Sequence, residues 1–372
     1  MKRRDFVKAL GGLGGGLALG GLAACGQEQK SGAASVASSS QQTFEWKMVT
    51  TWPEGFPGLG TGAERLAKLI TAMSGGRINV KLYAAGELVP ALEVFDAVSG
   101  GTVELGHGAS YYWKGKAPAA QFFAAVPFGM NAQEMNGWLY YGGGQQLWDK
   151  VYAPFNLKPF PAGNTGVQMG GWFNKPINTT RDLQGLRMRI PGLGGEVLKR
   201  AGGVPVTLPG GEIFTSLKTG VIDATEWVGP WNDLAFGLHQ AAKYYYTPGW
   251  HEPGSVLECM VNMDAYNTLP DDLKLVVENA CKAINMDMLA EYTARNPAAL
   301  EALKNEHGVE VREFPAEVLE RLRRISEEVV AELAASDPLV AEVHASFRDF
   351  QQEAQAWHAV SEEAFYRARR AG

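Results

Sequence analysis

A carboxylate and an indole stand side by side at Glu226 and Trp227, at the end of the stretch Val-Ile-Asp-Ala-Thr-Glu-Trp-Val-Gly-Pro that begins at Val221. Behind it, Lys218-Thr219-Gly220 reads as a helix stop, so residues 221–227 form a short β-branched strand running into a Gly-Pro turn. A strand that ends on a charged group beside a flat aromatic suits the carboxyl edge of an α/β sheet, where ligands bind. Glu226 capping the next helix while Trp227 fills core is the alternative, and these residues alone leave it open. Other reactive types are sparse. The six histidines (His107, His239, His251, His307, His344 and His358) show no ligand spacing, and only His251, beside Glu252, stands next to a second candidate group. A supporting role behind the site or a satisfied structural histidine both suit it. Cys259 and Cys281 carry no C-x-x-C or Cys/His pattern and read as buried thiols, although an oxidising compartment would permit a disulfide. Lys218-Thr219-Gly220 lacks the Ser-x-x-Lys and Ser-Asp-Asn partners of penicillin-binding enzymes, and Gly192-Leu193-Gly194-Gly195 lacks the third glycine of a dinucleotide fingerprint.

The elements that must position these groups alternate. Residues 44–52 read as a strand, 58–73 as a helix with apolar Ala63, Leu66, Leu69 and Ile70, 78–83 as a strand, 89–98 as a helix and 103–108 as a strand running into Ser110-Tyr111-Tyr112-Trp113. That is a βαβαβ unit with loops at its carboxyl edge. A second series starts with a strand over 165–173 that carries Gln168 and continues through Leu186-Arg187-Met188-Arg189-Ile190 to the organising stretch. Residues 244–247 and 255–263 read as segments leading back to the first lobe. From Pro270 the pattern is helical over 271–305, with a short strand at 309–311 and helices over 315–371. So long a helical tail straps the lobes or pairs with a second copy.

Length and composition bound the class. At 372 residues the chain exceeds one comfortable core, and ten Trp, twelve Tyr and forty-five Gly favour aromatic pocket walls. Lys2, Arg3, Arg4 and Lys8 against Asp5 give the first 24 residues +3 of a total of −6, leaving −9 for the rest, and no basic cluster suits a nucleic acid. The paired arginines before a weakly apolar run over 9–24 resemble a twin-arginine export signal, and Leu22-Ala23-Ala24-Cys25 resembles a lipobox in which Cys25 is acylated. Residues 26–43 read as a flexible tether.

The βαβαβ lobe, Leu186-Arg187-Met188-Arg189-Ile190-Pro191, Val221-Ile222-Asp223-Ala224-Thr225-Glu226 and Leu269-Pro270 before a long helix together resemble the solute-binding proteins of TRAP transporters, over nearly everything from Phe44 onward. Trp227 after Glu226, Gln168 upstream and Trp250-His251-Glu252-Pro253 downstream resemble the branch that binds 2-oxo or 2-hydroxy monocarboxylates with a metal ion. Trp227 stands where a sialic-acid binder would have Asn. The resemblance implies a two-lobe periplasmic binding protein fold (type II) with a hinge and long C-terminal helices. It places lobe I at 44–165 plus about 254–315, lobe II at 166–253 plus part of 316–340, and a helical extension at 341–372. It implies Arg189 as clamp on the substrate carboxylate, with Arg187 as the competing assignment. It also implies a cation held by Gln168, Glu226, Glu252 and the backbone carbonyl of Trp227, and Phe214 in a region that contributes to the pocket. Trp52, Tyr111, Tyr112, Trp172 and Trp231, at strand ends or in the following loops, are the other candidate walls.

The chemistry agrees. Arg offers a carboxylate two parallel N–H donors, whereas two glutamates would repel an anionic substrate unless a hard ion intervenes. One Arg, two Glu and one substrate carboxylate sum to −2, which Ca2+ neutralises and Na+ halves. Both ions stay open. The expected protein is periplasmic, lipid-anchored and not an enzyme, with a small carboxylate such as pyruvate or lactate, a TRAP membrane permease and a second copy of itself as partners. An exported cofactor-dependent enzyme and a ligand-sensing module for a signalling receptor are the competing readings.

Overall fold

A computed structural model describes residues 42–371. The export signal, Cys25 and nearly all of the 26–43 tether therefore fall outside the described residues. Strand β1 (Phe44–Thr50), helix α1 (Leu59–Met73), β2 (Ile78–Tyr83), α2 (Val94–Ser99) and β3 (Leu105–Gly108) make the βαβαβ unit, with β1 parallel to both neighbours. Helix α1 buries Ala63, Leu66 and Ile70, as its period requires, while Leu69 sits half-buried at the edge of that face. Helices α3 (Ala132–Tyr141) and α4 (Gly144–Tyr152) follow. Asn131 caps α3 by accepting from the amides of Gln133 and Glu134, and the Glu134 side chain returns to the Asn131 amide.

Strand β4 (Leu157–Asn164) is not apparent in the sequence, because Pro159, Pro161 and Gly163 interrupt it. It forms at the sheet edge, where the missing N–H groups are not needed. The remaining strands are β5 (Gly171–Phe173), β6 (Arg187–Arg189), β7 (Val204–Val206), β8 (Ala224–Thr225), β9 (Tyr244–Thr247), β10 (Val256–Asn262) and β11 (Glu310–Glu313). Between them lie α5 (Gly192–Ala201), α6 (Gly210–Lys218), α7 (Pro230–Ala235), α8 (Met263–Thr268) and α9 (Asp271–Asn305), and the chain ends in α10 (Ala316–Ala335), α11 (Pro338–Val360) and α12 (Glu362–Arg370).

The strands form two sheets, ordered β2-β1-β3-β10-β4 and β11-β9-β5-β8-β6-β7. Strand β10 crosses back into the first sheet, antiparallel to β3 and β4, whereas β9 stays in the second. The 254–315 segment does not belong wholly with the first sheet, since β11 pairs in parallel with β9. The reason is reach: at about 1.5 Å per residue, the 35 residues of α9 span roughly 50 Å and carry the chain from one sheet to the other. The tail is likewise not a free extension. Helix α10 packs on α5, while α11 buries Val340, Val343 and Phe347 against α3, α4 and the turn over Pro118–Phe123.

Candidate functional site

Strands β6 and β8 lie parallel with Arg189 opposite Thr225, so their carboxyl ends deliver Arg189 and Glu226 to one crevice edge. The Glu226 amide donates to the Arg189 carbonyl at 3.2 Å, and the side chains repeat the pairing, Arg189 Nη1 donating to Glu226 Oε1. Both side chains are 1% exposed. Arg189 Nη2 donates to the Tyr112 hydroxyl at 3.1 Å and Nε to the Leu208 carbonyl at 3.3 Å. The guanidinium carbon stands 5.1 Å from the Trp227 ring centroid, a cation–π contact. Arg187 is exposed and holds Asp223 through two bonds of 2.9 and 2.8 Å. Alternation gives the two arginines one face, but only the one at the carboxyl end of the strand reaches the crevice.

A second wall comes from the loop before β5 and the segment before β10. The Gln168 amide donates to the Glu252 carbonyl at 3.2 Å, and the Gly249 amide donates to the Gln168 carbonyl at 3.0 Å. A Cβ on Gly249 would stand 2.2 Å from that carbonyl oxygen, so the close approach demands glycine. Gln168 Nε2 donates to Glu252 Oε2 at 2.8 Å and to Thr165 Oγ1 at 3.2 Å, and the Ser255 hydroxyl donates to the same Glu252 oxygen. With its amide nitrogen so committed, Gln168 is left with an unpartnered, buried Oε1. Glu226 Oε2 is also without a hydrogen bond. Glu226, His251 and Glu252 present ligand atoms within 4.8 Å of one another, all three buried.

Burial, reinforced by the Glu226 charge, pushes Glu252 up to about 7. For Arg189 burial acts downward, but Glu226, Tyr112 and Tyr111 outweigh it and hold the guanidinium above its ordinary range. Burial raises both Tyr111 and Tyr112, so their hydroxyls stay neutral donors. Buried oxygens without donors are costly, and a hard cation supplies what Glu226 Oε2 and Gln168 Oε1 lack. The donor set therefore fits such an ion.

Arg189, Gln168 and Trp227 border a tight hollow lined also by Trp52, Tyr111, Tyr112, Thr165 and Ser255, and Glu226 and Glu252 stand behind it, bonded to Arg189 and Gln168. Trp52 is fixed from behind. Its Nε1 donates to His107 Nδ1 at 2.8 Å, which leaves the His107 proton on Nε2 to reach the Ala162 carbonyl at 3.1 Å. Burial pushes His107 down to about 4, so this relay is neutral. Three expected walls lie elsewhere. Trp172 stacks on Tyr245 at 4.1 Å and donates to the buried Asp233 at 2.9 Å. Trp231 packs edge-on against Tyr292. Phe214 follows the buried Ile213 on α6, about 100° further round the helix, and its ring reaches toward Gly237. Thr165 and Ser255 do not stand out in the sequence, where isolated hydroxyls carry no pattern. His251 stands out there only as a neighbour of Glu252.

Residues 48–337 match the family described as bacterial extracellular solute-binding protein, family 7 (DctP). The chain belongs to this family. Membership makes it a periplasmic solute-binding protein rather than an enzyme, and its two sheets are those of the family's two-lobe fold. A monocarboxylate 2-oxoacid-binding periplasmic protein of Nostoc sp. is 46% identical over 319 residues, covering 85% of this chain and 86% of the relative. A TRAP periplasmic solute-binding protein from Pseudoalteromonas atlantica, solved with bound sodium and pyruvate, superposes with a TM-score of 0.85 at 42% identity, covering 88% of this chain and 99% of that one. A family member from Colwellia psychrerythraea, solved with bound calcium and pyruvate, gives 0.85 at 44% identity, with coverages of 88% and 100%.

Proposed function

We propose that this protein captures a small 2-oxo or 2-hydroxy monocarboxylate, such as pyruvate or lactate, together with Na+ or Ca2+, and delivers it to a TRAP membrane permease. The observation that carries this reading is the convergence of Glu226 and Glu252 beside a hollow that the buried Arg189 and the Gln168 side chain, with its free Oε1, line. Arg189 and Tyr112 would hold the substrate carboxylate. Gln168 Oε1, Glu226, Glu252 and the Trp227 carbonyl would hold the cation, which also takes oxygens from the substrate. Arg189 already bonds Glu226, so the cation would also replace the guanidinium as partner of that carboxylate and release Nη1 for the ligand. The charges sum to −2 without the ion, and the sodium- and calcium-bound relatives fit either way of offsetting them.

Trp52, Tyr111 and Tyr112 come from the first-sheet side and Trp227 and Arg189 from the second, so the ligand would be enclosed between two lobes. The lobes would be residues 44–165 with the segment around β10, and 166–253 with β11 and part of 316–340. Hinged closure of the two would follow ligand binding. The Arg-Arg start and Cys25 support twin-arginine export followed by lipid anchoring. Exposed Trp357, Val360, Phe365 and Tyr366 on the last two helices support a homodimer joined there.

A thermal-shift panel tests the function. Pyruvate- and lactate-type acids should raise the melting temperature with Na+ or Ca2+ present and lose that effect after EDTA and desalting. A shift confined to dicarboxylates, or to solutes without a carboxylate, would contradict the assignment.

A further inference from the structure

We propose that His251 is itself a nitrogen ligand of the cation, and that the pocket therefore accepts borderline divalent ions such as Co2+ or Zn2+ with the 2-oxo acid. The inference rests on the reading of this hollow as a cation-and-carboxylate site and extends it to an ion class that an all-oxygen ligand set would disfavour.

His251 is 2% exposed, and neither ring nitrogen has a hydrogen-bond partner. His107, equally enclosed, has both nitrogens engaged. A buried imidazole with two idle nitrogens is therefore the exception in this molecule, and such groups mark a missing partner. The ring faces that partner's place, for Nε2 lies 3.4 Å from Glu226 Oε2, itself without a hydrogen bond. A direct N–H donor to a carboxylate normally sits at about 2.7–2.9 Å. Two atoms bound to one ion at about 2.0–2.4 Å, at angles of about 90–110°, lie roughly 2.8–3.9 Å apart. The observed spacing is too long for the first arrangement and inside the range of the second.

The backbone around the ring supports a fixed role. Gly194, in the first turn of α5, has no Cβ, and one placed there would come within 3.0 Å of His251 Cβ. Trp250 packs edge-on against the imidazole at 5.5 Å. His251 is thus held where Glu226 and Glu252 converge, with Nδ1 carrying the ring proton when Nε2 binds an ion. Imidazole raises affinity along the first-row divalent series, whereas carboxylate, amide and carbonyl oxygens favour hard ions. One nitrogen among oxygens broadens the site toward the borderline group, and a 2-oxo acid can chelate such an ion through its carboxylate and keto oxygens.

The test uses the purified protein stripped with EDTA, then loaded with Mn2+ and pyruvate. Electron spin-echo modulation should show a directly bound 14N that disappears in His251→Gln. In parallel, calorimetry should show Co2+- or Zn2+-supported pyruvate affinity falling at least about tenfold in His251→Gln, with a clearly smaller fall for Ca2+. Bound Mn2+ without a nitrogen signal in the wild type overturns the proposal whatever the variant does. So does a failure of Co2+ and Zn2+ to support pyruvate binding where Ca2+ works, or an equal loss for both kinds of ion. If Ca2+ supports pyruvate binding while the nitrogen signal is absent, only the His251 assignment falls. If no ion, Na+ and Ca2+ included, supports binding, the site reading falls and this inference with it.

Discussion

Arg189 and Arg187 differ by two positions in one strand, yet the structure gives them opposite environments. Arg189 is enclosed by Glu226, Tyr112 and the Trp227 ring, whereas Arg187 pairs with Asp223 at the surface. Removing Arg189 leaves the substrate carboxylate without its cationic partner, so Arg189→Ala should weaken pyruvate binding by a hundredfold to a thousandfold or more, about 3–5 kcal/mol. Arg187→Ala should stay within about threefold, as for an exposed ion pair. Titration calorimetry on both variants, with circular dichroism to confirm folding, checks the contrast; equal effects would contradict it. The sequence could not separate the two because alternation gives them the same face. What separates them is which end of the strand meets the crevice. A second residue-scale consequence lies away from the ligand. Glu258 on β10 is fully buried, accepts from Trp113 Nε1 and leaves its other oxygen without a partner. Burial pushes it up to about 7, partly offset by the hydrogen bond from Trp113. Because its folded value lies above the unfolded one, near 4.5, the protonated form is favoured on folding. That stability is present below about 4.5 and lost as pH rises through about 7, to a total of about 3 kcal/mol. Urea unfolding of wild type and Glu258→Gln should therefore diverge from about pH 5 to about pH 8, with the variant losing less. Parallel curves would show that Glu258 does not carry the effect.

Among the elements, the short strands matter through their ends and the loops through their approach to one another. Gly249 is the clearest case, since its amide and missing Cβ let the 249–252 segment lie directly on Gln168. Gly249→Ala should push Gln168 and Glu252 apart, lowering ligand affinity at least about tenfold and stability by about 1–3 kcal/mol, the usual cost of overpacking. Calorimetry and urea unfolding together test it, and an unchanged affinity would mean the two segments need not touch. The long, strongly periodic elements were legible: the opening βαβαβ unit and the 271–305 helix lie where the pattern puts them. Strand β4 was hidden by its prolines, and β5 occupies only the last three residues of the 165–173 run. Residues 165–168 instead leave the strand pattern and turn Gln168 into the crevice. Trp172 and Trp231 show the limit of aromatic counting. Nothing in a one-dimensional pattern says which face of a helix, or which side of a sheet, looks onto a ligand.

Across the whole molecule, the C-terminal helices tie the parts together and the crevice joins them at the ligand. Lys114, after β3, reaches Glu196 on α5 at 2.8 Å, an ion pair between elements of the two sheets. Helix α10 packs on α5, while α11 buries its apolar residues against the first-sheet helices. The strap expected of so long a tail is thus present. Its last turns, by contrast, keep Trp357 at 64% and Phe365 at 60% exposed. If two copies join there, light scattering should give twice the chain mass, and Trp357→Glu should return it to one. A single-chain mass for the wild type would dismiss the dimer. The two-sheet α/β architecture was readable from the alternation of strands and helices, but the crossing points were not, because they depend on how far α9 carries the chain. The central claim is that one guanidinium and one metal ion share the neutralisation of an organic carboxylate. Titrating pyruvate into metal-stripped protein, and again after Ca2+ or Na+ is restored, tests it most directly. Binding should be at least about a hundredfold weaker without the ion, whereas equal affinity in the two titrations would show that the carboxylates of Glu226 and Glu252 do not need a cation to admit the substrate.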